Sequence, residues 1–168
     1  MSMRRTALSS LLVFILLATF GPASAQQPAR SAPERLVADT SRVTPGGASF
    51  TVPAGWSITT GKNLLILEPP ETDTHIAIFD SQAADADAAV AAAWVAYKPD
   101  AKRPVRLVTP QPARDGWDEQ KVFGYETSPN ERVVVVALAF RLGKAWTVVI
   151  LDGSRPTFEK RGAPIGTV

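Results

Sequence analysis

The chain reads as an α+β domain built on a largely antiparallel sheet flanked by helices, and three observations predict it. Short β-rich runs precede a single Ala-rich helical stretch, Asp85 to Tyr97, and longer β-rich runs follow it, so strands and helix are segregated instead of alternating. Two late runs, Val133 to Phe140 (VVVVALAF) and Ala145 to Leu151 (AWTVVIL), flank Arg141-Leu142-Gly143-Lys144, the strongest hairpin signal in the sequence. The helical stretch (DADAAVAAAWVAY) sets Val90, Trp94 and Tyr97 at i, i+4 and i+7, an apolar side that needs a sheet to lie on.

Ahead of these elements stands a targeting segment. Arg4 and Arg5 precede an apolar stretch, Ala7 to Phe20, which ends in Ala23-Ser24-Ala25, small residues at the positions a signal peptidase reads. The stretch is shorter than the ~20 residues that cross a bilayer, so residues 1–25 read as a cleaved signal peptide, leaving no stable membrane anchor and a periplasmic or secreted protein. Removing 25 of the 168 residues leaves 143, enough for one core. The removal also takes away Arg4 and Arg5, so 18 Lys+Arg against 16 Asp+Glu become 16 against 16, and charge offers no argument for a nucleic-acid partner. There is no cysteine, which excludes disulfide staples, thiol nucleophiles and Cys-based metal sites.

Residues 26–47 mix Pro, Ala, Ser and charge without apolar periodicity and read as a flexible linker, with a single domain at 48–168. Phe50 and Val52 alternate with polar neighbours before Pro53-Ala54-Gly55-Trp56, a strand entering a turn. Strands are expected at Ser57 to Thr60, Leu64 to Glu68 and His75 to Asp80, with Gly61-Lys62-Asn63 and Pro69 to Asp73 between them. Asp85 and Asp87 favour the start of the helix, and Lys98-Pro99 ends it. Val105 to Thr109 and Trp117 to Thr127 follow as strands, with a turn at Ser128-Pro129-Asn130. The unbroken apolar character of the last two runs implies central strands covered on both faces. Ser154-Arg155-Pro156 looks like a helix start, but only about two turns remain before Val168. So short a helix cannot form the second layer alone; either residues 26–47 help, or the chain is a piece of something longer.

The residues offer little chemistry. His75 is the sole histidine, so any Ser-His-acid arrangement must pass through it, and the plain reading is a half-exposed strand residue. Ser-x-x-Lys, Gly-x-Ser-x-Gly, P-loop, Rossmann and His-Glu-x-x-His patterns are absent, so no catalytic residue, cofactor site or metal site is assigned. Asp115, Asp118 and Glu119 around Trp117 match no Ca²⁺ loop and read as a solvated turn. Lys98, Lys102, Arg103 and Arg106 form a basic run, a weak anion or membrane-headgroup patch, and Pro99 and Pro104 break it so that it forms no amphipathic anchor. Of the tryptophans, Trp94 and Trp146 read as core, whereas Trp56 and Trp117, each preceded by glycine, are the candidates for lining a ligand cleft.

Several stretches carry a resemblance: FTVPAGW at Phe50 to Trp56, AAVAAAWVAY at Ala88 to Tyr97, PARDGW at Pro112 to Trp117, YETSPNE at Tyr125 to Glu131, WTVVILDG at Trp146 to Gly153 and EKRGA at Glu159 to Ala163. Together they resemble the N-terminal, non-catalytic region of exported bacterial serine hydrolases related to beta-lactamases and penicillin-binding proteins. The opening Phe-x-Val-Pro-x-Gly-Trp is also similar to the start of Mog1/PsbP-like domains, an antiparallel sheet flanked by helices. The resemblance implies a periplasmic accessory domain with a hydrolase domain as partner, in cis or in trans, and a family member would run on past Val168 into the catalytic domain. The abrupt end is then what a truncated chain would show. The alternatives are a stand-alone serine hydrolase with an unrecognised site and a periplasmic assembly or binding factor.

Overall fold

The computed structural model describes residues 29–162; the expected signal peptide and residues 163–168 lie outside that span. In chain order the strands are β1 (Glu34–Arg35), β2 (Thr40–Val43), β3 (Ser49–Val52), β4 (Ser57–Thr60), β5 (Leu64–Glu68), β6 (Thr74–Ser81), β7 (Val105–Gln111), β8 (Glu119–Tyr125), β9 (Val133–Leu142) and β10 (Ala145–Ser154). Helix α1 (Ala86–Tyr97) lies between β6 and β7, and α2 (Arg155–Lys160) follows β10. Eight strands form one sheet in the order β1-β4-β5-β6-β10-β9-β8-β7, and β2 and β3 form a separate ribbon. Every pairing is antiparallel, which confirms the expected α+β architecture.

The local turns explain the neighbours. Gly143, at φ +60, and Lys144 close the β9–β10 hairpin, whose register runs from Leu142↔Ala145 to Val133↔Ser154. Ser128 starts a 3₁₀ turn, Pro129–Glu131, through a capping box with Glu131. Asp85 caps α1 by accepting the Ala88 N–H at 2.8 Å. At α2 the Ser154 hydroxyl makes no such bond, and the helix relies on proline in its first turn.

Each face of the sheet carries its own core. Helix α1 covers one face, burying Ala86, Ala89, Val90, Ala93 and Tyr97 against Leu64, Ile66, Ala77, Ala137, Val148 and Ile150. Four of the five buried helix residues are Ala or Val, because small side chains let the helix lie close to the sheet; the expected stripe is thereby corrected at Trp94. That ring lies at the margin, half-buried, donating from Nε1 to the Tyr125 hydroxyl at 2.6 Å. On the opposite face the β2–β3 ribbon and its flanks bring Leu36, Phe50, Val52 and Trp56 onto Ile58, Leu65, Leu67, Ile76 and Ile78.

This second layer corrects the reading of residues 26–47 as a linker. Within that stretch β1 pairs with β4, β2 builds the ribbon, and Leu36 is 6% exposed. Arg30 reaches across to α1, donating from Nη2 to the Ala96 and Tyr97 carbonyls at 2.6 and 2.8 Å, which satisfies the orphan acceptors of the helix end. The segment is polar because it forms an edge strand and half of a surface ribbon, with Leu36 as its one buried apolar side chain and Thr44 as its buried polar one.

Cover on the ribbon face stops half-way across the sheet. The register carries one row from Ile76, fully buried, through Leu151 to Val136 and then to Gly124 and Leu107, which is 57% exposed. A parallel row fades from Ile78 through Val149 to Leu138 and Val122. The expectation that Val133 to Phe140 is covered on both faces is therefore corrected: Val135, Ala137 and Ala139 are buried under α1, whereas Val134, Val136, Leu138 and Phe140 are half-exposed.

Candidate functional site

A polar row crosses the helix-covered face where α1 ends. Ser57 pairs with Glu68 across β4–β5, and His75 pairs with Asp152 across β6–β10. His75 Nε2 and Glu68 Oε2 are 2.9 Å apart, so Ser57, Glu68, His75 and Asp152 sit side by side on four adjacent strands. Above them Tyr97 donates its hydroxyl proton to Asp152 at 3.2 Å, and Lys98 Nζ donates to the same carboxylate at 2.5 Å. Burial, and next the Asp152 carboxylate, push the Tyr97 phenol upward, so it remains a protonated donor. Arg30, Ser57, Glu68, His75, Tyr97 and Lys98 line a cleft of about 260 Å³.

The order along the row decides its chemistry. A serine nucleophile needs the imidazole within hydrogen-bond reach and the carboxylate beyond it. Here Glu68 stands between Ser57 and His75, and two strand spacings of ~4.8 Å hold Ser57 and His75 about 10 Å apart. The row cannot relay a proton from Ser57. It ties the end of α1 to the central strands, and Gly153 lets β10 leave beside β6: a Cβ there would lie 2.4 Å from Thr74 Cα and 2.5 Å from the Asp73 oxygen.

The two candidate tryptophans separate. Trp56 is 1% exposed and forms part of the ribbon-side core, so its candidacy for a ligand cleft is corrected; the ribbon that buries it was not visible in the sequence. Trp117 is half-buried, stacks at 5.3 Å from Phe140 and lines a cleft of about 400 Å³ opposite Gly46, Gly47 and Ala48. Asp80, buried nearby, accepts the Gly46 N–H at 2.6 Å and the Thr147 hydroxyl at 2.8 Å. Gly46 is required there, since a Cβ would meet Asp80 Cγ at 2.8 Å.

The charged runs disperse. Lys98 goes to Asp152 and Arg103 pairs with Glu131, Lys102 is exposed, and Arg106 joins partners from elsewhere in the chain. Asp118 and Glu119 are drawn to Arg141, and Asp115 to Arg114. No group of three metal-ligating side chains occurs among the described residues. The site that the sequence concealed is a cleft of about 660 Å³ where Arg106, Arg132 and Arg155 converge around Thr127, Ser128 and Glu126. The three arginines come from separate segments, so no spacing signals them.

Against known proteins, the sheet order and its covering helices find a counterpart. The chain is similar to the solution structure of cyanobacterial PsbP (CyanoP) from Synechocystis sp. PCC 6803, with a TM-score of 0.55 over 90% of this chain and 95% of that one. The fold is PsbP-like. Sequence identity is 12%, a level at which the likeness speaks for fold alone. No family model matches the chain, and no curated protein matches it. The PsbP-like half of the sequence resemblance is thus supported, and the serine hydrolase half gains no support. No helix among the described residues is long and apolar enough to cross a membrane.

Proposed function

We propose that this chain is a non-catalytic accessory domain that works after export, in the periplasm or outside the cell, and grips a partner protein through the open half of its sheet. The observation that carries the reading is β7, an edge strand whose Val105, Leu107 and Val108 are 49, 57 and 38% exposed. An unpaired edge offers backbone donors and acceptors, and natural proteins commonly blunt such edges with charge or cover. Arg106 and Pro110 blunt β7 in part, yet its exposed apolar side chains stand beside a half-covered face, the setting in which an extended segment of a partner adds as a further strand. The partner implied by the sequence resemblance is a serine hydrolase domain, in cis or in trans.

A photo-crosslinker placed at Leu107, in cells of the native host, tests this, with a second at Val95, exposed on α1, as control. The expected result is an adduct specific to position 107 that disappears with Val108→Lys. Reaction of that adduct with an activity-based serine probe identifies a hydrolase partner; an adduct without such reaction identifies an assembly factor's client. Equal adducts at both positions, or none, overturn the proposal. The same samples report export, since the mature protein is expected to begin at Gln26.

A further inference from the structure

We propose that the cleft bounded by Arg106, Arg132 and Arg155 binds a phosphate group, carried either by a small soluble ligand or by a lipid headgroup. The inference does not rest on the edge-strand reading, although Arg106 lies on the same strand, β7.

Two of the three arginines sit at backbone irregularities, and the third is tied to one of them. Arg106 lies where the β7–β8 register shifts between Val105 and Leu107, and such a bulge re-aims the side chain it carries. Its guanidinium lies over Gly124, whose Cβ would stand 4.0 Å from Arg106 Nη2. Arg132 follows the 3₁₀ turn with φ 52 and ψ 38, the left-handed region that long side chains disfavour. Strain of this kind gathers at working positions. Arg155 donates its N–H to the Arg132 carbonyl at 2.8 Å, which locks the second and third arginines together.

The charge is uncompensated within the cleft. Arg106, Arg132 and Arg155 join none of the ion pairs among the described residues, whereas nearby Arg103 holds Glu131 through two bonds of 3.2 and 3.0 Å. That pairing withdraws Glu131, and Glu126 is the lining carboxylate that remains. Three guanidiniums against one carboxylate leave a formal +2, the complement of a phosphate monoester dianion. The planar fork of arginine suits phosphate oxygens bidentately, and Thr127 and Ser128 add hydroxyls. At about 660 Å³ the cleft exceeds a lone phosphate and falls within the range of ligand sites, leaving room for the group the phosphate is attached to.

The test titrates the exported protein with inorganic phosphate at low ionic strength, followed by amide NMR shifts. In parallel, the protein is floated with vesicles of phosphatidic acid, a phosphate monoester, in phosphatidylcholine, against phosphatidylcholine alone. Arg132→Gly and Arg155→Gln are each expected to weaken binding about tenfold or more. Arg132→Gly also relieves the left-handed strain, so its Tm should stay level or rise, separating lost binding from lost fold. Arg35→Gln, on β1 at the far edge of the sheet, removes the same charge and should change binding less than twofold. Saturable phosphate binding without vesicle binding assigns a soluble phosphorylated ligand; vesicle binding that needs the same arginines assigns a headgroup. No binding of either probe, or equal loss in Arg35→Gln, overturns the proposal.

Discussion

Replacing Leu36 with alanine should destabilise the domain by about 3 kcal/mol, although the residue lies in a stretch with the composition of a leader. Leu36 is 6% exposed, packs in the ribbon-side core, and bonds Trp56 through its backbone, its N–H reaching the Trp56 carbonyl at 2.9 Å. Three carbons leave the core, a transfer loss of ~2.4 kcal/mol at ~0.8 kcal/mol per methylene. The cavity left beneath the ribbon adds to this, within the ~2–5 kcal/mol seen for such truncations. For a domain of this size the Tm should fall by roughly 9 °C, at ~3 °C per kcal/mol. Urea unfolding followed by tryptophan fluorescence and far-UV circular dichroism measures it, with Val37→Ala as control. Val37 is 98% exposed and should shift stability by less than ~0.5 kcal/mol. Equal, near-zero effects at both positions would refute the assignment of residues 36–43 to the second layer.

Other consequences are as direct. Arg161, and then Lys160, hold the Glu71 carboxyl at about 2, below its usual 4.5, so the pairing stabilises α2 above pH 4.5 and is lost as pH falls toward 2. Glu71→Gln should flatten the acid limb of a Tm-against-pH profile between those values; a slope equal to wild type would contradict the pairing. Gly153→Ala drives a methyl into the Thr74 backbone between two central strands and should cost about 3 kcal/mol, measured by denaturant unfolding, where a loss under ~1 kcal/mol would be incompatible with the geometry. His75→Ala should leave reactivity toward a serine-directed probe unchanged; labelling present in wild type and absent in the variant would restore the hydrolase reading.

Local signals made much of the fold legible. The β9–β10 hairpin rests on Gly143-Lys144 between apolar runs, and α1 on alanine, an aspartate cap and a terminating Lys98-Pro99, all within a few residues of one another. Trp117 lies half-buried beside a cleft, whereas Trp56, in the same Gly-Trp context, is entombed. The difference lies in what packs above them. Thr40 to Val43 shows no apolar alternation because a ribbon strand at the surface needs none, so its sequence resembles a linker.

Periodicity, turn chemistry and helix caps, which act over a few residues, made the strands from Ser49 onward, helix α1 and the largely antiparallel character of the sheet readable from the sequence alone. Only the tertiary structure decided what covers the second face, where that cover stops, and that Arg106, Arg132 and Arg155 meet around one cleft. Those outcomes depend on contacts between segments far apart in the chain, where spacing along the sequence carries no information about distance in space.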